Sequence, residues 1–191
     1  MTATGSIGAD LYWIPLGAGG RVVRLSGKLF EAVVAAIHRR PRSDLYHAAL
    51  QVVTPDGRFV VEQTPVPDAD GTQRGVVAAG PVGLRPAGRF RWFRYEIRCW
   101  RDGRIPDIDA AAATTRVSDD PAVCTRIVEL LPTIPTPTWG RDELAAGEMW
   151  NSNSIVAWVL SRAGVDLTDV APPPGGRAPG WQAGRIVAAR R

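Results

Sequence analysis

Lysine is all but missing from this chain, with Lys28 the only one among 23 basic side chains in 191 residues. Arginine carries the rest, so the net charge of +4 reflects composition bias more than a phosphate-binding surface, where charge gathers on one face. Cysteine is scarce as well. Cys99 and Cys124 are too few for a disulfide framework and fit a reducing compartment, with one bridge between them as the alternative. Two histidines and two dispersed cysteines give no metal-ligand spacing, so neither zinc nor any other cofactor is expected. Asp68, Asp70 and Gly71 begin like a calcium loop, but the downstream ligands and the closing glutamate are missing. No phosphate-binding glycine loop occurs. No apolar run approaches the ~18 residues of a spanning helix. Residues Met1 to Asp10 lack the basic and apolar regions of a signal peptide, so the expected location is cytoplasmic.

What is present is ordinary globular composition, 45% apolar and 22% charged, and a length that supports one domain over 1–191 with a substantial core. Segments 1–10 and 172–180 read as loop or flexible. A short apolar segment, Leu11 to Leu16, follows the start. Ser26 can cap a helix with an apolar stripe of Leu29, Phe30, Val33, Val34 and Ile37, ended by Arg39, Arg40 and Pro41. Tyr46–Val53 and Arg58–Thr64 are β-prone runs joined by Thr54-Pro55-Asp56-Gly57, the signature of a hairpin with a type I turn. A further strand is expected from Arg89 to Trp100. Asp120 and Pro121 open a helix through Ile127 to Pro132. After a proline-rich loop, Asn151 opens another helix, through Ile155 and Val159 to Gly164, and a loop-rich tail contains Ala178-Pro179-Gly180-Trp181. This order predicts an α+β fold, an antiparallel sheet with helices packed against it.

Two places carry chemistry. If residues 54–57 form the turn, Val53 faces Arg58, and continued pairing sets Ala49 opposite Glu62. His47 shares a face with Ala49, so Glu62 lies diagonally from it on that face and Gln63 turns away. A slip of one residue exchanges Glu62 for Gln63. A carboxylate beside an imidazole prepares a general base. The plainer alternative is a half-buried strand histidine with a surface glutamate. His38, near a helix end, reads as a solvated residue.

The second place is Trp150-Asn151-Ser152-Asn153-Ser154, three small polar residues and another serine before an apolar helical run. Simple N-capping explains Asn151 or Ser152. Alternatively, a nucleophile here gains from the positive end of the helix, whose N–H groups can hold an oxyanion.

The stretch Asn151-Ser152-Asn153-Ser154-Ile155-Val156-Ala157-Trp158 resembles the active-site helix start of papain-like NlpC-type peptidases and of the lecithin:retinol acyltransferase group. There Asn or Asp precedes the nucleophilic cysteine, whose position falls on Ser152. In the permuted branch of that superfamily the histidine strand precedes the nucleophile helix and a second polar residue follows on the neighbouring strand. Tyr46-His47-Ala48-Ala49-Leu50, then Val60-Val61-Glu62-Gln63-Thr64, then Ser152 keep that order. The chain is also similar to bacterial domains with an Asn-Ser-Asn-Ser/Thr-apolar signature, in which serine is native. The resemblance implies a permuted papain-like fold and a hydrolase or acyltransferase acting on an amide, ester or thioester. Ser152 would attack, His47 serve as base and Glu62 orient it, with Trp150, Asn151, Asn153 and Trp181 as binding residues for a small-molecule, peptide or acyl substrate. Serine in place of cysteine needs stronger general-base help, so the alternative is a catalytically inactive binding module using the same cleft.

One cluster of positive charge remains: Arg89, Arg91, Arg94, Arg98, Arg101 and Arg104. On its strand Arg94, Glu96, Arg98 and Trp100 would share a face. An arginine face with aromatics suits an anionic ligand or single-stranded nucleic acid. A solvated sheet face partly neutralised by Glu96 is the reading adopted, and no nucleic-acid partner is expected.

Overall fold

A computed structural model describes residues 6–17, 31, 35, 39, 41–64, 75–105 and 107–190. Among them a sheet runs in the order β4-β5-β3-β2-β1-β6, with every neighbouring pair antiparallel. Its strands are β1 (Gly8–Pro15), β2 (Asp44–Thr54), β3 (Gly57–Thr64), β4 (Val76–Pro81), β5 (Arg94–Arg101) and β6 (Ala113–Ser118). A seventh, two-residue strand, β7 (Gly176–Arg177), joins β2 in parallel. The helices are α1 (Pro121–Leu130), α2 (Ser152–Ala163) and α3 (Trp181–Ala189). The expected α+β class is therefore observed.

Side chains alternate across a strand, and here the two faces bury different things. Leu11, Trp13, Ala48, Leu50, Val52, Val61 and Ile97 point toward the helices and form the main core with Cys124, Ile127 and the apolar side of α2. Ile14, Ala49 and Val60 point the other way, into a small cluster closed by Ile105. At about 25 cal/mol per Å² of buried apolar surface, the helical face dominates stability.

Several expectations change. The strand begins at Arg94, not Arg89, because β4 first meets β5 at Pro81↔Arg94 and β3 reaches only Glu96. Among the described residues no strand pairs with those just before Arg94, which form short 3₁₀ turns, Arg85–Arg89 and Arg91–Phe93. Gly8–Asp10 belong to strand β1, which lies between β2 and β6, although 1–10 read as loop. The tail contains β7 within 172–180, and then a full helix, α3. That helix starts at Gly180 with a φ of 86° and no side-chain cap, so it lacked the usual signal. The expected face of solvated arginines is not solvated at Arg98, which is 2% exposed and gripped by Glu96 at 2.8 Å and Glu62 at 3.5 Å. The helix expected from Ser26, with His38, falls outside the described residues, apart from Glu31 and Ala35, which are helical and buried, and the turn residue Arg39.

Candidate functional site

The β2–β3 hairpin adopts the expected register, with Val53↔Arg58 and Thr54↔Gly57. Gly57 has a φ of 139°, open to glycine at little cost. The ladder stops at Leu50↔Val61, one pair short of Ala49 and Glu62. A reason lies in the sequence. Leu45 gives its carbonyl to Leu16 on the β1 side, so Tyr46 and Ala48 direct their backbone groups to the β3 side. In the sequence Pro65 directly follows Thr64, and proline has no N–H to offer a ladder.

Asn153 takes the place of the missing strand. Its Oδ1 accepts the Ala48 N–H at 2.7 Å, and its Nδ2 donates to the Tyr46 carbonyl at 3.1 Å. A carboxamide has the same donor and acceptor as a peptide group, so one side chain continues the ladder. β7 then takes over at Asp44 and Leu45. The edge of β2 is thus served in turn by a strand, a side chain and a second strand.

The rest of the polar helix start is equally committed. Asn151 is the N-cap, and its Oδ1 accepts the N–H groups of Asn153 and Ser154 at 2.9 and 3.3 Å. Ser154 completes a capping box by accepting the Asn151 N–H, an arrangement that satisfies both ends. Its hydroxyl also lies 2.8 Å from the Gly180 carbonyl. Both Asn151 Nδ2 and Asn153 Nδ2 donate to the Pro179 carbonyl at 2.9 Å. Glu148 accepts the Gly180 N–H at 2.8 Å. The Ala178–Trp181 element is therefore the third arm of a clamp that ties α2 to β2 and α3. Trp181 finishes it by packing against Trp13 in a tilted arrangement, ring centroids 4.9 Å apart.

Ser152 stands apart from this clamp. It is half-buried at the first turn of α2, and among the described residues neither its hydroxyl nor its N–H makes a hydrogen bond. The oxyanion donors expected at this helix start are mostly spent, since Asn151 already takes the N–H groups of Asn153 and Ser154. Only the Ser152 N–H is left over.

His47 does not face α2. Its register partner is Ile14, whose side chain belongs to the small cluster on the opposite side of the sheet with Ala49. Burial there pushes the imidazole pKa below its ordinary value, and the Asp107 carboxylate pulls it part of the way back. His47 is accordingly neutral at pH 7. Asp107, at a φ of 58°, helps line an open depression of about 550 Å³ with Arg104 and Asp109. Glu62 shares that face but is ion-paired with Arg98 across the strand pair Glu62↔Arg98. Among the described residues no hydrogen bond joins His47 to either Glu62 or Ser152. The structure brings His47 and Glu62 to one face and leaves Ser152 on the helical side.

The four expected binding residues are held within the fold. Asn151 and Asn153 are the clamp, and Trp150 and Trp181 are buried. Trp181 also contributes to the wall of a 280 Å³ depression with Glu148, Thr168, Arg177, Gln182 and Arg185. Asp107 and the Pro179 and Gly180 carbonyls were not foreseen as partners, because no sequence pattern links them to His47 or to the helix start. Both cysteines are free thiols. Burial pushes Cys99 up to about 11 and Cys124 upward as well, so neither offers a thiolate nucleophile. No helix of the described residues is long and apolar enough to cross a membrane.

Searches against family models, curated proteins and solved structures return no match for this chain.

Proposed function

We propose that this chain is a catalytically silent binding module of permuted papain-like build, in which the nucleophile helix start has become a structural clamp. The observation that carries this reading is the separation of His47 from Ser152 by the sheet. A serine hydroxyl attacks only when a base within hydrogen-bond reach takes its proton, and Ser152 has none among the described residues. The ligand site is the 280 Å³ depression beside Pro179. Arg185 with Thr168 and Gln182 suits a small anionic molecule, since a guanidinium recognises carboxylate or phosphate in bidentate fashion, while Arg177 is shared with Glu31. The unpaired thiols support a cytoplasmic setting.

A second reading, a hydrolase or acyltransferase using Ser152, His47 and Glu62, is favoured by one observation. The hydroxyl and N–H of Ser152 make no hydrogen bond among the described residues, while Asn151, Asn153 and Ser154 are all committed. Labelling with a fluorophosphonate probe separates the two. The binding-module reading expects no labelling that depends on Ser152. Labelling of wild type that is lost in both Ser152→Ala and His47→Ala would overturn it and restore the enzyme.

A further inference from the structure

The segment between β4 and β5 departs from every rule the rest of the chain obeys. From Leu84 to Arg94 it reads Leu-Arg-Pro-Ala-Gly-Arg-Phe-Arg-Trp-Phe-Arg, composed only of apolar residues, glycine, proline and arginine. Its large apolar side chains point outward. Trp92 is 71% exposed and Leu84 62%, with Phe90 and Phe93 about half exposed. Single exposed apolar residues need no explanation, but a contiguous group marks an interaction surface.

This group is held out and has not collapsed. Successive backbone hydrogen bonds, Ala87 to Leu84, Phe90 to Ala87 and Phe93 to Phe90, wind it into 3₁₀ turns, and the Val82 N–H to Phe93 carbonyl bond closes its base. Arg141 Nε ties the Gly83 carbonyl at 3.0 Å, and Trp139 bonds Pro81. The surface is preorganised, which lowers the ordering cost of an association.

Charge decides what meets it. Arg85, Arg89, Arg91 and Arg94 are all exposed, and no acidic residue occurs from 82 to 95. Glu143 lies within electrostatic reach of Arg85, and Arg91 already has an interaction within the chain. The Arg89 guanidinium lies 4.7 Å over the Phe90 ring, so charge and apolar surface are interleaved. A partner must be anionic and must also accept Trp, Phe and Leu together. Nucleic acid offers phosphates to arginine and stacking to the rings, but no apolar phase for Leu84 to enter. A lipid surface satisfies both demands, with headgroup phosphates for arginine and the acyl boundary for Trp, Phe and Leu.

We propose that residues 84–94 form a peripheral membrane-docking surface for an anionic bilayer, the aromatic and leucine side chains entering the interface and Arg89 and Arg94 meeting lipid phosphates. This surface is independent of the reading of Ser152. No spanning segment is required, and docking is reversible because few side chains insert.

The test is co-sedimentation of the full chain with vesicles of phosphatidylcholine alone and with roughly one-third phosphatidylglycerol. Binding is expected only to the anionic vesicles, weakening as salt rises. Arg89→Gln and Arg94→Gln should each reduce it about fivefold, and Trp92→Ser with Phe90→Ser should abolish it while the thermal melt is unchanged. Absence of binding to anionic vesicles overturns the proposal, as does binding that survives the Trp92 and Phe90 substitutions. Preferential binding to a single-stranded oligonucleotide, or self-association lost in Trp92→Ser, overturns it in favour of nucleic acid or a second copy of the chain.

Discussion

Replacing Asn153 by alanine tests whether one side chain stands in for a strand. Asn153 is 3% exposed and serves three backbone groups, the Ala48 N–H and the Tyr46 and Pro179 carbonyls. The Pro179 carbonyl keeps Asn151 as donor, so two groups lose their described partner. Each buried group left unpaired costs about 1–3 kcal/mol, giving a loss of about 2–6 kcal/mol for the two. That is a large share of the ~10 kcal/mol typical of a domain. At about 2–4 °C per kcal/mol for a chain of this size, the melting temperature should fall by about 10 °C. Urea unfolding measures the free energy, and amide exchange should show Ala48 opening ahead of Leu50. A loss below about 1 kcal/mol, or an Ala48 amide as protected as before, would refute the strand-substitute argument. Asn153→Asp adds a signed check. The introduced carboxyl faces two carbonyl oxygens, which favour its protonated form and raise its folded pKa above the ordinary ~3.9. The folded state then holds the extra proton, so stability is greatest below the unfolded pKa and falls as pH rises through the folded one.

Ser152→Ala should change stability by no more than about 0.5 kcal/mol, whereas Ser154→Ala should cost about 1–3 kcal/mol because its hydroxyl serves Gly180 and the Asn151 N–H; urea denaturation of the two side by side is the measurement. Gly184→Ala should be strongly destabilising, by about 3 kcal/mol, since a Cβ there clashes with the Ser154 carbonyl and comes 2.9 Å from Ala157 Cβ; a melting temperature within a degree or two of wild type would count against the α2–α3 packing described. His47 carries a pKa lowered by burial, so the unfolded state binds more protons between the folded pKa and ~6.5. Stability should therefore be fully present above that window and fall as pH drops through it. The slope should be shallower in His47→Gln, and equal slopes would place the titration elsewhere.

The local signals were legible in the sequence. The Thr54–Gly57 turn gave the correct hairpin register, Asp120-Pro121 marked α1, and Asn151 to Gly164 marked α2, each because a few adjacent residues determine the backbone. What could not be read was which elements become neighbours. Glu62 sits on the face its register predicts, yet β5 brings Arg98 against it from 36 residues away. The alternation of Arg89 to Trp100 looks like a strand throughout, but its first half has no partner strand among the described residues. By spacing the Asn-Ser-Asn-Ser sequence favours a cap, and only the family resemblance points to a nucleophile. The choice depends on where Pro179 and Tyr46 arrive, and neither is near in sequence. α3 was missed because glycine at its start supplies no capping side chain.

The borrowed edge of β2 also constrains how the chain is built. The Asn153 amide reaches Ala48 and Tyr46 across 105 and 107 residues, and β7 arrives later still. During synthesis the β1–β3 region emerges first, with part of an edge open and the apolar face of its sheet uncovered until α2 and the Pro179 element follow. Such an unpaired edge invites pairing with another chain, and long-range closure of this kind slows folding. The N-terminal half should thus be a poor independent folder, in need of chaperone protection on the ribosome until residue 179 has been made.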